Sequence, residues 1–288
     1  MAEFNRNRGI PRRDESMIYY ITMHHNIDRF VQLQAQHIYD NTSSDYKIYC
    51  GLAGINLEID ASETVYKNHC IYDITNIENQ HWFRMNYLFN CLAKDQTFHD
   101  DDLVVFIDGD AFPIETWEGK VRSELDTHAL VAVERREDLE PLMEEKWKPY
   151  PHPLFCVAKA KFWQENAIKW KLDSSRGVST CGPLLKEWLE MNGHTIYPLL
   201  RTNVFNIHPL YFGVYGDIVY HHGASAGLDK VYGSSDIWTR PMLSEKYGAS
   251  LDLYAPQIPM FNASMSKLVW EAICQLPNFI KVFFLGKE

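Results

Sequence analysis

The stretch Leu103–Pro113, LVVFIDGDAFP, decides the fold. Its five leading apolar residues, Leu103 to Ile107, describe a strand covered on both faces, because a strand with one wet face alternates apolar and polar residues. Such strands belong to α/β sheets, where ligands bind just beyond the carboxyl ends of the strands. Asp108, Gly109 and Asp110 fall at that place. Two carboxylates one residue apart are either a turn, which Asp and Gly both favour, or a site of chemistry.

Upstream, the chain alternates strand and helix patterns. MIYYITM, from Met17, predicts a strand; His24 and His25 follow as a loop, and Asn26 is placed to cap a helix over residues 27–39 with Ile27, Phe30, Val31 and Ile38 on one face. YKIYCGL and NHCIYDI predict two further strands. QHWFRMNYLFNCLAKD predicts a helix burying Trp82, Met85, Leu88, Phe89 and Leu92. This order predicts a mostly parallel central sheet with flanking helices.

Downstream, ALVAVERRED predicts a strand with a charged end, and KPYPHPLF a segment broken by its prolines. AKFWQENAIKW and GPLLKEWLEMNG predict helices, the second closed by Gly193. YFGVYGDIVYHHGASAG predicts a strand ending in His221 and His222 and a glycine-rich loop. No linker divides the chain, so one continuous domain built on one sheet is expected. Its bounds are residues 17–265, with a ligand-holding half at 17–113 and a second half at 114–265. Residues 1–16 read as a disordered leader or a foreign tail. Residues 266–288 form an amphipathic tail broken at Pro277, which would cap the core, pair with a second copy in a homodimer, or touch a membrane surface peripherally.

Composition narrows the function classes. The chain has 288 residues, 46% of them hydrophobic and 14% aromatic, enough for a well-filled interior. Its net charge of -10 argues against a nucleic-acid partner, whose phosphates it would repel. The 6 cysteines form no CxxC pair, which argues against a zinc ribbon and fits a reducing cytoplasm. No stretch reaches the roughly 20 apolar residues of a membrane span.

The FIDGD run resembles the DxD motif of nucleotide-sugar-dependent glycosyltransferases of the GT-A fold. The resemblance extends over Met17 to about Gly227, and takes in Arg84 on the preceding helix and the late histidines of VYHHGA. It implies a Rossmann-like GT-A architecture and a metal-dependent transfer of sugar from a nucleoside-diphosphate sugar to a hydroxyl, on a glycan or a lipid-linked acceptor. A divalent metal would neutralise the charge developing on the leaving diphosphate. Asp110 would be a direct ligand, and Asp108 would contact the ribose and the metal. A histidine ligand favours Mn²⁺ over Mg²⁺. Only one of His221 and His222 should supply it, since neighbours on a strand face opposite ways; His222 is preferred because it adjoins Gly223, where backbone can approach a diphosphate.

The resemblance further places His24, His25 and Asn26 where nucleobase and ribose bind. Arg84, set among apolar residues, needs an anion, either Asp108 or a ligand phosphate. Inverting relatives carry an acidic base near residues 172–190; here the helix-start residues are Ser179, Thr180 and Cys181, leaving Asp173 or Glu187 to take the acceptor proton. Trp147, Tyr150, His152 and Phe155 would form an aromatic platform or core packing. The alternatives are a haloacid-dehalogenase-type phosphatase with Asp108 as nucleophile, a sugar nucleotidyltransferase, which lacks its glycine-rich loop here, and a non-catalytic carbohydrate-binding protein.

Overall fold

The computed structural model describes residues 16–26, 28–57, 63–135, 149–172, 181–202 and 213–223. The strands are β1 (Ile18–His25), β2 (Tyr46–Ala53), β3 (His69–Asp73), β4 (Leu103–Ile107), β5 (Ala111–Pro113), β6 (Leu130–Arg135), β7 (Tyr150–Lys159), β8 (Ile196–Leu199), β9 (Gly213–Tyr215) and β10 (Val219–His221). The α-helices are α1 (Arg29–Asn41), α2 (His81–Asp95), α3 (Glu118–Leu125), α4 (Ala160–Glu165) and α5 (Pro183–Met191).

Seven strands form one sheet in the order β3-β2-β1-β4-β7-β6-β8. Pairing is parallel through β3, β2, β1 and β4 and between β6 and β8, and antiparallel where β7 meets β4 and β6. The sheet is therefore mixed but mostly parallel. Both faces are covered, as the apolar run predicts. Val104 and Phe106 pack with Met85, Leu88, Phe89 and Leu92 of α2 and with Trp163 and Leu185. Leu103, Val105 and Ile107 pack on the opposite face with Val31 and Ile38 of α1 and Val121 of α3. The result is a single α/β domain consistent with a Rossmann-like GT-A architecture.

Four sequence expectations need correction. The proline-bearing segment is strand, not a break: Pro151 and Pro153 lie in the half of β7 that extends past its pairing with β4, which covers only Phe155 to Lys159, and beside a register shift against β6. Proline is tolerated where a ladder hydrogen bond is already absent. The single sheet becomes two, because β5, β10 and β9 form a separate three-stranded antiparallel sheet. The expected late strand is a hairpin, turning at Gly216 and Asp217, both left-handed at φ 59 and 63. Finally, Asn26 is not the cap of α1: it sits left-handed at φ 59 beyond β1, its N–H bonded to the Ala53 carbonyl, and Asp28 holds the N-cap position.

Candidate metal centre

The chain runs β1, β2, β3 in one direction across the sheet and then returns to place β4 on the other side of β1. The crevice between β1 and β4 is thus the point where strand order reverses, the usual ligand position in an open α/β sheet. Asp108, Gly109 and Asp110 leave β4 there. Gly109 presses on the end of β1, so closely that a Cβ on it would lie 2.2 Å from the Met23 carbonyl oxygen. No other residue type fits between the two aspartates without moving backbone.

After Asp110 the chain enters β5, which pairs antiparallel with β10 and sets His221 opposite Ala111. This register brings His221 Nε2 to 3.4 Å from Asp110 Oδ1 and 3.9 Å from Asp108 Oδ2. One ligand atom each from Asp108, Asp110 and His221 lie within 4.8 Å of one another. Such a cluster could coordinate a divalent metal. Two hard carboxylate oxygens and an imidazole nitrogen are donors that a divalent ion such as Mn²⁺ accepts, so the donor set is consistent with the ion that the motif implies.

His222, the preferred ligand on sequence, faces away. It is fully buried, its ring 5.0 Å from that of Phe30 and its Nδ1 3.2 Å from the Tyr220 hydroxyl. Its backbone N–H bonds to the Asp110 carbonyl at 3.0 Å. The register of β10 on β5 brings His221, and not His222, beside the two carboxylates.

Three further histidines surround the carboxylates. His81, the first residue of α2, pairs with Asp108 Oδ1 at 2.8 Å, and the Cys181 thiol stands beside the same ring. Enclosure by protein opposes a charge on His81, but the Asp108 carboxylate outweighs it and pushes the imidazole up to about 10. The side chain keeps 40% exposure, so solvent screens the pair. Asp108 is held below the ordinary carboxylate range: burial alone would raise it, and the charge and hydrogen bond of His81 override that. His152 of β7 is pushed down to about 3 by burial, against the attraction of Asp108 and with the repulsion of Arg135, His221 and His81. Burial lowers His24 to about 4 against the attraction of Asp110. Both are therefore neutral at pH 7.

The other predicted residues fall into place unevenly. Arg84 is buried on α2, but its guanidinium bonds to the Ile77 carbonyl at 3.2 Å, and His81 occupies Asp108 in its stead. His25 is exposed and its Nε2 lies 3.0 Å from the Asn26 amide nitrogen. Asn26 also packs against Gly54 at the end of β2. Gly223 is buried at the end of the described chain after His222. Glu187 is half-buried on α5, outside the carboxylate–histidine cluster. Asp173, Ser179, Thr180, Trp147, residues 1–15 of the leader and the 266–288 tail lie outside the described residues. Tyr150 and Phe155 are core residues. Among the described residues no helix is long and apolar enough to cross a membrane.

Sequence reasoning missed His81 and gave His152 a different part. The available signal for His81 was its position, three residues before Arg84 on the helix that leads into the motif strand.

No protein-family model matches the chain, and no curated protein matches it. Solved structures do. A mannosyltransferase from Pyrobaculum calidifontis in complex with GDP-Man and Mn²⁺ aligns with 13% identity and a TM-score of 0.42, covering 63% of this chain and 54% of that one. The galactosyltransferase LgtC in complex with donor and acceptor sugar analogues aligns with 14% identity and a TM-score of 0.35, covering 60% and 64%. A putative glucose-1-phosphate thymidylyltransferase from Bacillus anthracis, in complex with a sucrose, aligns with 10% identity and a TM-score of 0.36, covering 69% and 88%. This chain spans less than two thirds of the length of the first two. Likenesses this distant carry no argument about activity, which rests on the site itself.

Proposed function

We infer that the protein is a metal-dependent glycosyltransferase, moving a sugar from a nucleoside-diphosphate sugar to a hydroxyl acceptor. The observation that carries this reading is the convergence of Asp108, Asp110 and His221 at the strand-order reversal between β1 and β4. In this reading Asp110, His221 and Asp108 would hold the Mn²⁺ ion. When bound, the ion would supply a Lewis acid to neutralise charge on a departing diphosphate.

The chain's own residues explain why the carboxylates are ready for a cation. His81 engages Oδ1 of Asp108 and leaves Oδ2 turned toward His221. His24 and His152 are neutral at pH 7, which leaves His81, set on Oδ1 of Asp108, as the cationic one of the three neighbouring histidines. The ends of β1 and β2, with His25, Asn26 and Gly54, form the neighbouring rim on which a nucleoside is proposed to rest. Glu187 of α5 is proposed to accept the proton of the attacking hydroxyl. The proposed acceptor is a glycan.

A thermal-shift titration with nucleoside diphosphates and their sugars, with and without Mn²⁺, tests this reading, since a ligand that binds only the native state raises its apparent stability. The expected result is an upward shift that requires both Mn²⁺ and one nucleotide and disappears in Asp110→Asn. A Mn²⁺-dependent shift that survives Asp110→Asn, or no shift with any nucleotide, contradicts it.

A further inference from the structure

The backbone groups that set the direction of the two aspartates are held from several sides. The Asp108 N–H bonds to the Leu154 carbonyl of β7 at 3.2 Å, the Asp110 carbonyl accepts from the His222 N–H at 3.0 Å, and the Ala111 N–H closes a turn onto the Asp108 carbonyl at 2.9 Å. Those are main-chain bonds, as a strand end ordinarily makes. The remaining hold is a side chain. Gln34 of α1, 2% exposed, donates from Nε2 to the Asp108 carbonyl at 2.8 Å and to the Ala111 carbonyl at 2.6 Å.

An amide can present either its NH₂ or its oxygen, and the loop carbonyls accept only the first. The carbonyls therefore set Nε2 toward the loop, and Thr22 of β1, 1% exposed, donates its hydroxyl to Gln34 Oε1 at 2.8 Å and anchors the amide in that orientation. Both hydrogens of the NH₂ are thereby used, one on each side of the Asp108–Ala111 turn. The helix is in turn fixed to the sheet by Val31 and Ile38 in the apolar layer. Thr22, Gln34 and the two carbonyls thus link β1, α1 and the acidic turn in one buried polar chain.

We propose that Gln34, anchored by Thr22, is a positioning residue that fixes the backbone of the Asp108–Ala111 turn so that its two carboxylates meet His221 in metal-binding geometry. The proposal rests on reading that cluster as a divalent-metal site. Gln34 touches no metal and no substrate in this account. It acts through the carbonyls on either side of the ligands, and partners that orient ligands in this way commonly govern metal affinity.

The test is a Mn²⁺ titration of the metal-free protein by isothermal calorimetry, below the unfolding temperature of every variant, with folding checked by circular dichroism. Gln34→Met keeps the side-chain length and removes both donors; it should weaken Mn²⁺ binding by about 10–100-fold. Thr22→Val keeps the shape and removes only the anchoring hydroxyl; it should weaken binding by about fivefold, the effect of one hydrogen bond. A residue that merely supported the fold would lower the unfolding temperature and leave the affinity of the folded protein unchanged. Folded Gln34→Met with wild-type affinity overturns the proposal. If Gln34→Met does not fold, Thr22→Val decides, and wild-type affinity in that variant overturns it. A wild-type protein that binds no Mn²⁺ would instead remove the metal reading on which the proposal stands.

Discussion

The two sheets meet at Asp110, and they differ in what holds them. β4 of the large sheet is paired on both sides, by β1 and β7, and every one of its residues is buried. In the small sheet β5, β9 and β10 are three residues each, and β10 reaches β5 across more than a hundred residues of chain. The large sheet places the carboxylates and the small one brings His221. A site made this way has one component fixed by a continuous core and another fixed by a short, long-range pairing, whose loop closure has an entropy that grows with length. The histidine side should therefore be the more sensitive to local substitution.

His221 and His222 separate the two contributions. His222→Ala empties a fully buried position against Phe30 and removes the contact with the Tyr220 hydroxyl, and should lower stability by about 3 kcal/mol, as large-to-small substitutions in cores do. His221→Ala should lower it less and yet abolish most Mn²⁺ affinity. Denaturant unfolding and Mn²⁺ titration on both variants check this. Equal loss of metal binding in the two, with equal stability, would mean that the small sheet acts as one unit and not through His221.

The second prediction sets three enclosed histidines among the described residues against pH. In the unfolded chain His24, His69 and His152 titrate near 6.5, whereas burial lowers the folded values to about 4, about 4 and about 3. Above about pH 6.5 all three are neutral in both states and nothing is lost. As pH falls from about 6.5 toward 4 the unfolded chain takes up protons that the fold refuses, so stability declines through that window. His81 has the opposite sign: raised in the fold, its contribution is complete below 6.5 and fades as pH rises toward about 10. Unfolding of the metal-free protein by urea should thus show a stability maximum near neutrality and a falling acid limb; a flat profile between pH 4.5 and 6.5 contradicts it.

The smallest effect is expected at the hairpin turn. Gly216→Ala forces a side chain into a left-handed residue and brings its Cβ to 2.7 Å from the Leu199 Cδ2, a flexible side-chain tip that can shift. Stability should fall by about 1–2 kcal/mol, and the weakened hairpin should loosen Mn²⁺ binding by a few-fold without abolishing it. Unaltered stability would show that the turn contributes nothing to holding β10.

These contrasts track how much could be read in the sequence. LVVFI announced a doubly buried strand because the pattern is local, and Asp108 and Asp110 followed from its end. The helix of Trp82 to Leu92 was legible for the same reason. The site residues that escaped are those placed by packing. Gln34 and His81 are single polar residues in helical segments, where a solvated surface position is the ordinary expectation, and only the seating of α1 and α2 on the sheet turns them toward the acidic turn. The choice of His221 over His222 depended on a register set by Ala111, far upstream. Pro151 and Pro153 concealed β7 because one-sided pairing is a property of the neighbours, not of the strand. Asn26 looked like a helix cap, yet its left-handed backbone and its contact with Gly54 put it at the strand-end rim.

The central claim is that one divalent cation is held jointly by both sheets. Anomalous diffraction at the manganese edge, from crystals grown with Mn²⁺ and a nucleoside diphosphate, tests it most directly. The account predicts one strong peak at bonding distance from Asp110 and His221, with Asp108 Oδ2 facing it. A peak bound elsewhere, or none at this cluster while the nucleotide is present, would contradict it.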